Sequence, residues 1–141
     1  MTKRLRIVET NCADPTRETE FNEWYDKTHL PDVLEVPGFI RATRYENVEL
    51  SKGEAQYLAL CEIETDDFDA FTKASRANME KKRAEGRFSK SLEIVSSSTY
   101  RQISFISRRE IIRGGEKILK RGASRLLGCL YHNGTTLESV L

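Results

Sequence analysis

The segment from Phe21 to Tyr45 most constrains how this chain can fold, because it joins a helix pattern, a helix break and a turn. Asp14 followed by Pro15 predicts where the helix begins, since Asp is a preferred N-cap and Pro is pre-organised for the first helical position. Aromatic and polar residues then follow at i, i+3, i+4 and i+7, the spacing of one helix face. These residues are Phe21, Trp24, Tyr25 and Thr28.

A proline interrupts this helix. Pro31 has no backbone N–H to donate and disfavours helical geometry at the residue before it, so we expect the helix to end or kink at about His29. One further turn is expected over 32–34, with Pro31 at its start. Pro37 and Gly38 then predict a turn into the next strand.

Four β-patterns and a second helix complete the predicted order β-α-β-β-α-β. The predicted strands are Leu5–Thr10, Ile40–Leu50, Ala55–Glu64 and Leu92–Ile106, the last bulged near Ser97. Along the second strand, Ile40, Ala42 and Arg44 are predicted to share one face. A hairpin loop is expected over Ser51–Glu54. The second helix is expected from the cap signal Thr65-Asp66-Asp67 to Glu85, with Phe68, Phe71, Ser75 and Met79 facing inward.

The third strand carries apolar residues on both faces, which predicts a central strand that is covered on both sides. One face holds Tyr57, Ala59, Cys61 and Ile63, and the other holds Leu58 and Leu60. The element order predicts a ferredoxin-like α+β sandwich, a four-stranded antiparallel sheet with both helices on one face. Its other face would be bare in a monomer, so we expect a homodimer.

The chain divides by composition at about residue 106. We expect a folded domain over 1–106 and a basic amphipathic C-terminal extension over 107–141, although the net charge of the whole chain is only +1. Apolar pairs recur seven and eight residues apart in this extension, which predicts a helix that its glycines interrupt. The alternatives for this extension are contact with lipid or nucleic acid, and a tail that packs on a partner or stays flexible; the small charge excess and the broken helicity favour the second.

Several classes of protein are not indicated. The three cysteines are widely spaced and odd in number, which favours reduced thiols over a disulfide framework or a zinc site. No apolar run is long enough for a membrane span, and the N-terminus has no signal-peptide core, so a cytoplasmic location is expected. Glycine-rich phosphate loops and metal-ligand spacings are lacking, so we predict no cofactor and no metal.

The segment resembles the dimeric α+β barrel superfamily, and within it small EthD-like proteins. The resemblance covers about 3–106 and depends on Trp24-Tyr25, His29, Pro31-Asp32, Pro37-Gly38-Phe39 and Arg44-Tyr45. It implies two sheets face to face in a dimer, with a mainly apolar cavity between each sheet and its helices. Relatives include cofactor-free monooxygenases of quinol-type substrates, polyketide cyclases, decarboxylases, dehydratases and isomerases. His29 occupies the position of the histidine in the H-x-P motif of the EthD-like branch.

His29 and Tyr25 are the predicted catalytic residues. Imidazole titrates near neutral pH and can give or take a proton, and Tyr25, one turn earlier, can orient the substrate or the ring. The alternative for His29 is a cap on the last carbonyls of a helix broken at Pro31.

The predicted substrate-binding residues are Trp24, Tyr45, Tyr57 and Arg44. The two tyrosines can hold a developing enolate, although a core or interface position is the alternative for both. Arg44 can bind a carboxylate or form a surface ion pair, and Trp24 can wall an aromatic ligand or fill the core.

These residues indicate a cofactor-independent enzyme of the lyase, cyclase, dehydratase, decarboxylase or isomerase type, acting on a small apolar or aromatic substrate. Two alternatives stay open: a dimeric ligand-binding or stress-response protein without catalysis, and an oxygenase of quinol-type substrates. Because one fold hosts many reactions, the resemblance does not select among them.

Overall fold

The computed structural model describes residues 2–109 and residue 111. The chain divides into two units, Met1–Gln102 and Ile103–Leu141. In the second unit, residues 108, 109 and 111 are helical, and the Ile111 amide donates to the Ser107 carbonyl over 3.3 Å. The rest of the C-terminal helical extension predicted over 107–141 lies outside the described residues.

The first unit is a four-stranded antiparallel sheet with its helices on one face. Its strands are β1 (Thr2–Cys12), β2 (Phe39–Glu46), β3 (Tyr57–Thr65) and β4 (Leu92–Arg101), in the spatial order β2-β3-β1-β4. The predicted ferredoxin-like α+β fold is confirmed. Strand β2 is shorter than predicted because the hairpin connection closes early, with the Asn47 amide donating to the Gln56 carbonyl over 2.8 Å.

Two bulges set which residues face the helices. Between β1 and β4 the register shifts after Glu9, which leaves Val95 as the extra residue, close to the bulge predicted near Ser97. Between β2 and β3 a second shift leaves Ile40 extra. Phe39 is therefore buried against the helices while Ile40 is 54% exposed, so the prediction that Ile40 shares a face with Ala42 and Arg44 is wrong.

The first helical segment continues past the proline. Asp14 caps it by accepting a hydrogen bond from the Thr16 amide over 3.1 Å. A 3₁₀ turn (Pro15–Arg17) leads into α1 (Glu18–Trp24), a π-helical turn (Tyr25–His29) and α2 (Leu30–Leu34). The wide turn widens the helix just before Pro31, where an ordinary α-helix would place the proline ring against the carbonyl four residues earlier. The predicted change at His29 is thus a wide turn and not an end.

Helix α3 (Phe68–Ala84) lies where the cap signal predicts it, with the Asp67 carboxylate accepting from the Ala70 amide over 3.0 Å. Phe71 and Ser75 are buried as predicted, whereas Phe68 and Met79 are half-buried.

The core consists of two clusters between the helices and the sheet. The first holds Cys12, Phe21, Tyr25, Tyr57 and Ala59, and the second holds Val36, Phe39, Cys61, Ile63 and Phe71. Gly38 allows the second cluster to close, because a Cβ at this position would lie 2.7 Å from the Phe71 ring and its φ is +111°. Cys12 and Cys61 are free and buried, and Cys129 lies outside the described residues.

The other face of the sheet carries no helix in the described unit and is half apolar. The register places Leu5 beside Tyr100, Ile7 beside Leu60, and Leu58 beside Tyr45. We call these six residues the outer apolar patch. In the part of the chain that the structure describes, none of the helices has the length and apolar character needed to cross a membrane.

Candidate functional site

His29 lies among three aromatic rings. It stacks on Trp24, with ring centroids 4.9 Å apart and planes inclined by 23°, and meets the edge of Tyr25 at 4.9 Å and 76°. Phe88 contacts it from the loop after α3, at 5.4 Å and 78°. We call these four residues the aromatic box.

The π-helical turn explains why these rings meet. In it the Leu30 amide bonds to the Tyr25 carbonyl, five residues back. Residues five apart therefore lie nearly above one another, which brings His29 over Trp24 as well as beside Tyr25. In a regular α-helix the aligned neighbours are three and four residues apart, and His29 would turn away from the indole. The aromatic box thus depends on one widened turn.

The fourth ring comes from a loop that two hydrogen-bonded contacts hold in place. The Trp24 Nε1 donates to the Arg87 carbonyl over 2.8 Å. The Arg87 side chain donates to the Asp32 carboxylate from Nε and Nη2, over 2.7 and 2.9 Å. Phe88, the next residue, is also covered by the Arg83 guanidinium, 4.8 Å from its ring centroid. The loop after α3 is therefore fixed to both halves of the first helical segment.

Asp32 is the charged centre of this attachment. Its side chain is buried, and besides Arg87 it has the Lys82 ammonium 3.8 Å away, which also pairs with Glu35 at 2.8 Å. Asn78 donates to the Asp32 backbone carbonyl over 2.7 Å. The hydrogen bonds from Arg87 hold the pKa of the Asp32 carboxyl below its usual range. We call these residues the Asp32 cluster.

Burial lowers the pKa of His29 from 6.5 to about 4, and the Asp32 charge only partly opposes that shift. The imidazole is therefore neutral at pH 7. Among residues 2–109 and 111, none donates a hydrogen bond to it or accepts one from it. The helix continues through His29 and its side chain caps no carbonyl, so the alternative role as a helix cap is not realised in the described structure.

Tyr25 is almost fully buried, and burial raises the pKa of its phenol to about 12. It is therefore protonated at neutral pH and can act only as a hydrogen-bond donor or as an acceptor through its lone pairs. Within the described chain, its hydroxyl has no hydrogen-bond partner. The structure thus brings both predicted catalytic residues together, each with unused hydrogen-bonding capacity.

Arg44 and Tyr57 lie on the far side of Tyr25. The Arg44 guanidinium is 4.2 Å from the Tyr25 ring centroid and 5.1 Å from that of Tyr57, and it donates to Asp26 at 3.0 Å and Asn22 at 2.8 Å. The alternative prediction of an ion pair is therefore realised with Asp26, whose side chain is 59% exposed, although the Arg44 side chain itself is only 14% exposed.

Tyr57 is bound internally as well. Its hydroxyl donates to the Glu18 carboxylate and accepts from Asn22, and burial raises the pKa of the phenol. Tyr45 pairs with Leu58 on the opposite face of the sheet and is 51% exposed. The structure therefore does not bring Tyr45 to the His29 side.

A cleft of about 450 Å³ adjoins the aromatic box. It lies between α1 and residues 86–91, with Trp24 and Phe88 in its wall and His29 behind them. The space between helices and sheet, where the resemblance implies a cavity, holds the two core clusters. A ligand in this cleft would contact the indole and the phenyl ring, and His29 is not among the residues that line it.

Comparisons with known proteins agree on the architecture. Neither the protein-family models nor the curated proteins include a match to this chain. HapK from Hahella chejuensis is similar in structure, with a TM-score of 0.53, 14% identity, and coverage of 74% of this chain and 96% of HapK. A dimeric ferredoxin-like protein from an uncultured marine organism gives a TM-score of 0.53 at 12% identity, covering 75% and 100%. These proteins share the ferredoxin-like α+β fold of this chain.

A putative monooxygenase from Shewanella loihica PV-4 has the same fold, with a TM-score of 0.51, 16% identity, and coverage of 74% of this chain and 99% of the other. At these identities the likeness concerns the fold alone. The predicted ferredoxin-like fold is confirmed, and the chemistry has to be argued from the side chains.

Sequence reasoning did not single out three residues on which the aromatic box depends. Asp32 entered only as part of the resemblance, and Arg87 and Phe88 follow a helix-ending glycine, where no periodicity indicates a role. The sequence around Asp32, in the short helix α2, does not indicate which distant residue will pair with it. In the part of the chain that the structure describes, no group of three metal-ligating side chains occurs.

Proposed function

We propose that this α+β barrel protein is a cofactor-independent enzyme that transfers a proton within a small apolar or aromatic substrate. His29 is the group that takes the proton and returns it, and Tyr25 is the donor that orients the substrate. The observation that supports this most is a neutral, unpartnered imidazole held between Trp24, Tyr25 and Phe88.

The acidity of the imidazole narrows the substrate class. A base whose conjugate acid has a pKa of about 4 drives proton removal weakly, so the substrate must carry an acidic C–H, such as a carbon between two carbonyl groups. The imidazolium that forms is a strong acid and readily returns its proton to another atom of the substrate. Cyclisation, dehydration, decarboxylation and isomerisation all include such a pair of transfers.

The neighbouring groups support a flat substrate. Trp24 and Phe88 offer ring faces and edges to a planar ligand, and such contacts contribute beyond simple burial. Tyr25 can donate to a carbonyl oxygen that gains negative charge as the proton leaves. Arg44 stabilises this arrangement through the Tyr25 ring, while Asp26 and Asn22 engage two of its N–H donors.

The proposal includes a homodimer that covers the outer apolar patch. The similar dimeric ferredoxin-like protein supports dimerisation. A large exposed apolar patch on a sheet face is also unusual for a monomer and is typical of an interface. It also includes a cytoplasmic location, with Cys12 and Cys61 kept as thiols. Native mass spectrometry reports the dimer and any retained ligand together, and a monomer would contradict the pairing.

A second candidate is ligand binding without catalysis. It is favoured by the lack of a described hydrogen bond that would orient the imidazole, since a catalytic histidine is usually fixed by a partner. In that case His29 serves as one wall of an aromatic pocket. Oxygenation of a quinol-type substrate is the other alternative, supported only by the fold shared with a putative monooxygenase, and oxygen uptake would reveal it.

The test uses benzoylacetone, an aromatic compound with an acidic carbon between two carbonyl groups. Binding is followed by the fluorescence of Trp24, the only tryptophan of the chain, and proton transfer by deuterium uptake in D₂O. We expect His29→Phe, which keeps an aromatic ring in place, to bind within a few-fold of wild type but to exchange about 10²-fold more slowly. Equal exchange by both proteins would contradict the enzymatic proposal and leave the binding role.

A further inference from the structure

Three arginines lie on the helix-facing side of β1 and β4, away from the aromatic box. Arg4 and Arg6 alternate along β1, and the register places Arg4 directly opposite Arg101 and Arg6 opposite Thr99. Like charges directly opposed on one sheet face destabilise the strand pair unless something neutralises them. We call these three residues the arginine face.

Their lack of carboxylate partners separates these arginines from others in the same domain. Arg41 pairs with Glu62, Arg44 with Asp26, and Arg87 with Asp32. Across residues 2–109 and 111, no carboxylate forms an ion pair with any member of the arginine face. The positive charge there is left without a counter-charge from the described chain.

Arg6 is held by neutral groups only. Its Nε donates to the Thr99 hydroxyl over 3.3 Å and its Nη1 to the Ser75 hydroxyl of α3 over 3.2 Å. Burial lowers the pKa of its guanidinium, which means that the charge sits where water solvates it poorly. A poorly solvated cation without a carboxylate gains more from a bound anion than an exposed one does.

Two buried polar atoms on the same two elements, β1 and α3, have no hydrogen-bond partner. These are Nη1 of Arg4 and Oγ1 of Thr72. The Arg4 guanidinium lies over Phe68, 4.4 Å from the ring centroid, and Thr72 is one helical turn after Phe68 and one before Ser75. Both atoms therefore lie along the same stretch of α3 and β1. Buried donors without a partner are uncommon and mark a place where a further group belongs.

We propose that the arginine face binds the oxyanion of a small-molecule ligand, held by Arg4, Arg6 and the Thr72 hydroxyl. A guanidinium presents two parallel N–H groups that match a carboxylate or a phosphate, and the hydroxyl adds a third donor. Because α3 lies over Arg4 and Arg6, the site admits a small group and not a polymer. The assignment does not depend on proton transfer at His29.

The oxyanion has two chemical sources that an experiment can separate. Inorganic phosphate and benzoate are titrated into the full-length protein by calorimetry, at ionic strength held constant with sodium chloride. Saturable binding of phosphate alone points to a phosphorylated ligand, and saturable binding of benzoate alone points to an organic carboxylate. If neither anion binds saturably, the proposal is overturned.

Variants tie the binding to these residues. Arg4→Met keeps the side-chain length over Phe68 and should weaken anion binding at least tenfold. Lys52→Met removes the same charge from an exposed hairpin and should bind as wild type does. Without added anion, the unfolding midpoint of Arg4→Met should equal or exceed that of wild type, because an opposed charge and an unpaired donor are removed.

A third variant keeps the test decisive if Arg4→Met folds poorly. Thr72→Val retains all three arginines and removes only the unpaired hydroxyl, so its unfolding midpoint should be unchanged or raised while anion binding weakens several-fold. Wild-type affinity in both Arg4→Met and Thr72→Val, or in the one of them that folds, would overturn the assignment.

Discussion

Asp32 and His29 lie three residues apart on one helical segment, yet the fold treats these two ionisable groups in opposite ways. Asp32 is 4% exposed and remains charged, because Arg87 and Lys82 surround its carboxylate. His29 is half-buried and neutral, and its neighbours are rings without a hydrogen bond. α3 and the loop after it supply Lys82 and Arg87 to Asp32, whereas the same loop supplies the Phe88 ring to His29.

The contrast indicates different roles for Asp32 and His29. A buried charge persists only with partners, so the Asp32 cluster joins α2, α3 and the loop that follows. The His29 imidazole forms no hydrogen bond or ion pair within that cluster, and its protonation in acid lowers the stability of the fold. We propose that a ligand is the reason for its place in the aromatic box, and five measurements can sharpen or break the contrast between the two residues.

The largest expected effect is that of Asp32→Ala. Removal of the carboxylate leaves Arg87 and Lys82 without their shared partner and frees the loop that carries Phe88, so unfolding free energy should fall by roughly 2–4 kcal/mol. Urea denaturation at pH 7 measures it, with the exposed Glu49→Ala as the control. A loss below about 0.5 kcal/mol, the usual range for surface substitutions, would mean that the cluster is not structural.

The next effect is the acid dependence of stability due to His29. Its pKa is 6.5 when unfolded and about 4 when folded, so between these pH values the unfolded chain binds more protons and stability falls as the pH falls. The loss by pH 4 should be roughly 2–3 kcal/mol relative to pH 7, and His29→Gln should remove it. Asp32 adds little to the loss above pH 4, because its pKa is 3.8 when unfolded and lower when folded, so most of its effect falls below that pH.

Trp24 fluorescence provides an independent reading of the same group. A protonated imidazole stacked on an indole changes its emission, so a transition centred near pH 4 is expected in wild type and not in His29→Gln. A midpoint at 6.5 would show that the ring is exposed to water and would remove the basis for a buried base.

A smaller effect is expected from Trp24→Phe. This change keeps a ring beside His29 but removes the N–H that donates to the Arg87 carbonyl, and a single hydrogen bond of this kind contributes about 1 kcal/mol. Val48→Ala, at a side chain that is 91% exposed, is the control and should leave the urea midpoint unchanged. If Trp24→Phe also left the urea midpoint unchanged, the indole would not be what holds the loop in place.

The smallest effect is that of Lys27→Ala. Lys27 pairs with Glu23 one turn earlier at 3.5 Å, but both side chains are exposed, 74% and 65%. Such a pair should change the unfolding free energy by less than about 0.5 kcal/mol and even less at high salt. A loss comparable to that of Asp32→Ala would show that burial is not what separates the two ion pairs.

Local chemistry made much of the fold predictable. Asp14 and Asp67 cap the helices where the sequence places them, and the alternation in Tyr57–Ile63 reports the buried face of β3. The wide turn before Pro31 could not be read in advance, since the proline shows only that a regular helix cannot continue. Its form depends on the packing of rings.

The candidate site was less predictable because its geometry depends on distant contacts. Arg44 and Tyr45 are adjacent on one strand, so only one of them can face the helices, and the sequence alone does not show which. The register and the Arg44 contacts with Tyr25 decide it. Phe88 and Asp32 meet their partners across more than fifty positions of chain, beyond any periodic signal.

The widened turn over Tyr25–His29 also accommodates one extra residue between the two halves of the helical segment. Loss of a single residue there would turn it into an ordinary α-helical turn, in which four residues instead of five bring the chain back to the same side. The two halves would keep their phase, but the ring of Pro31 would then press against the carbonyl four residues earlier. The extra residue of this turn and the proline that follows it are therefore expected to be gained or lost together.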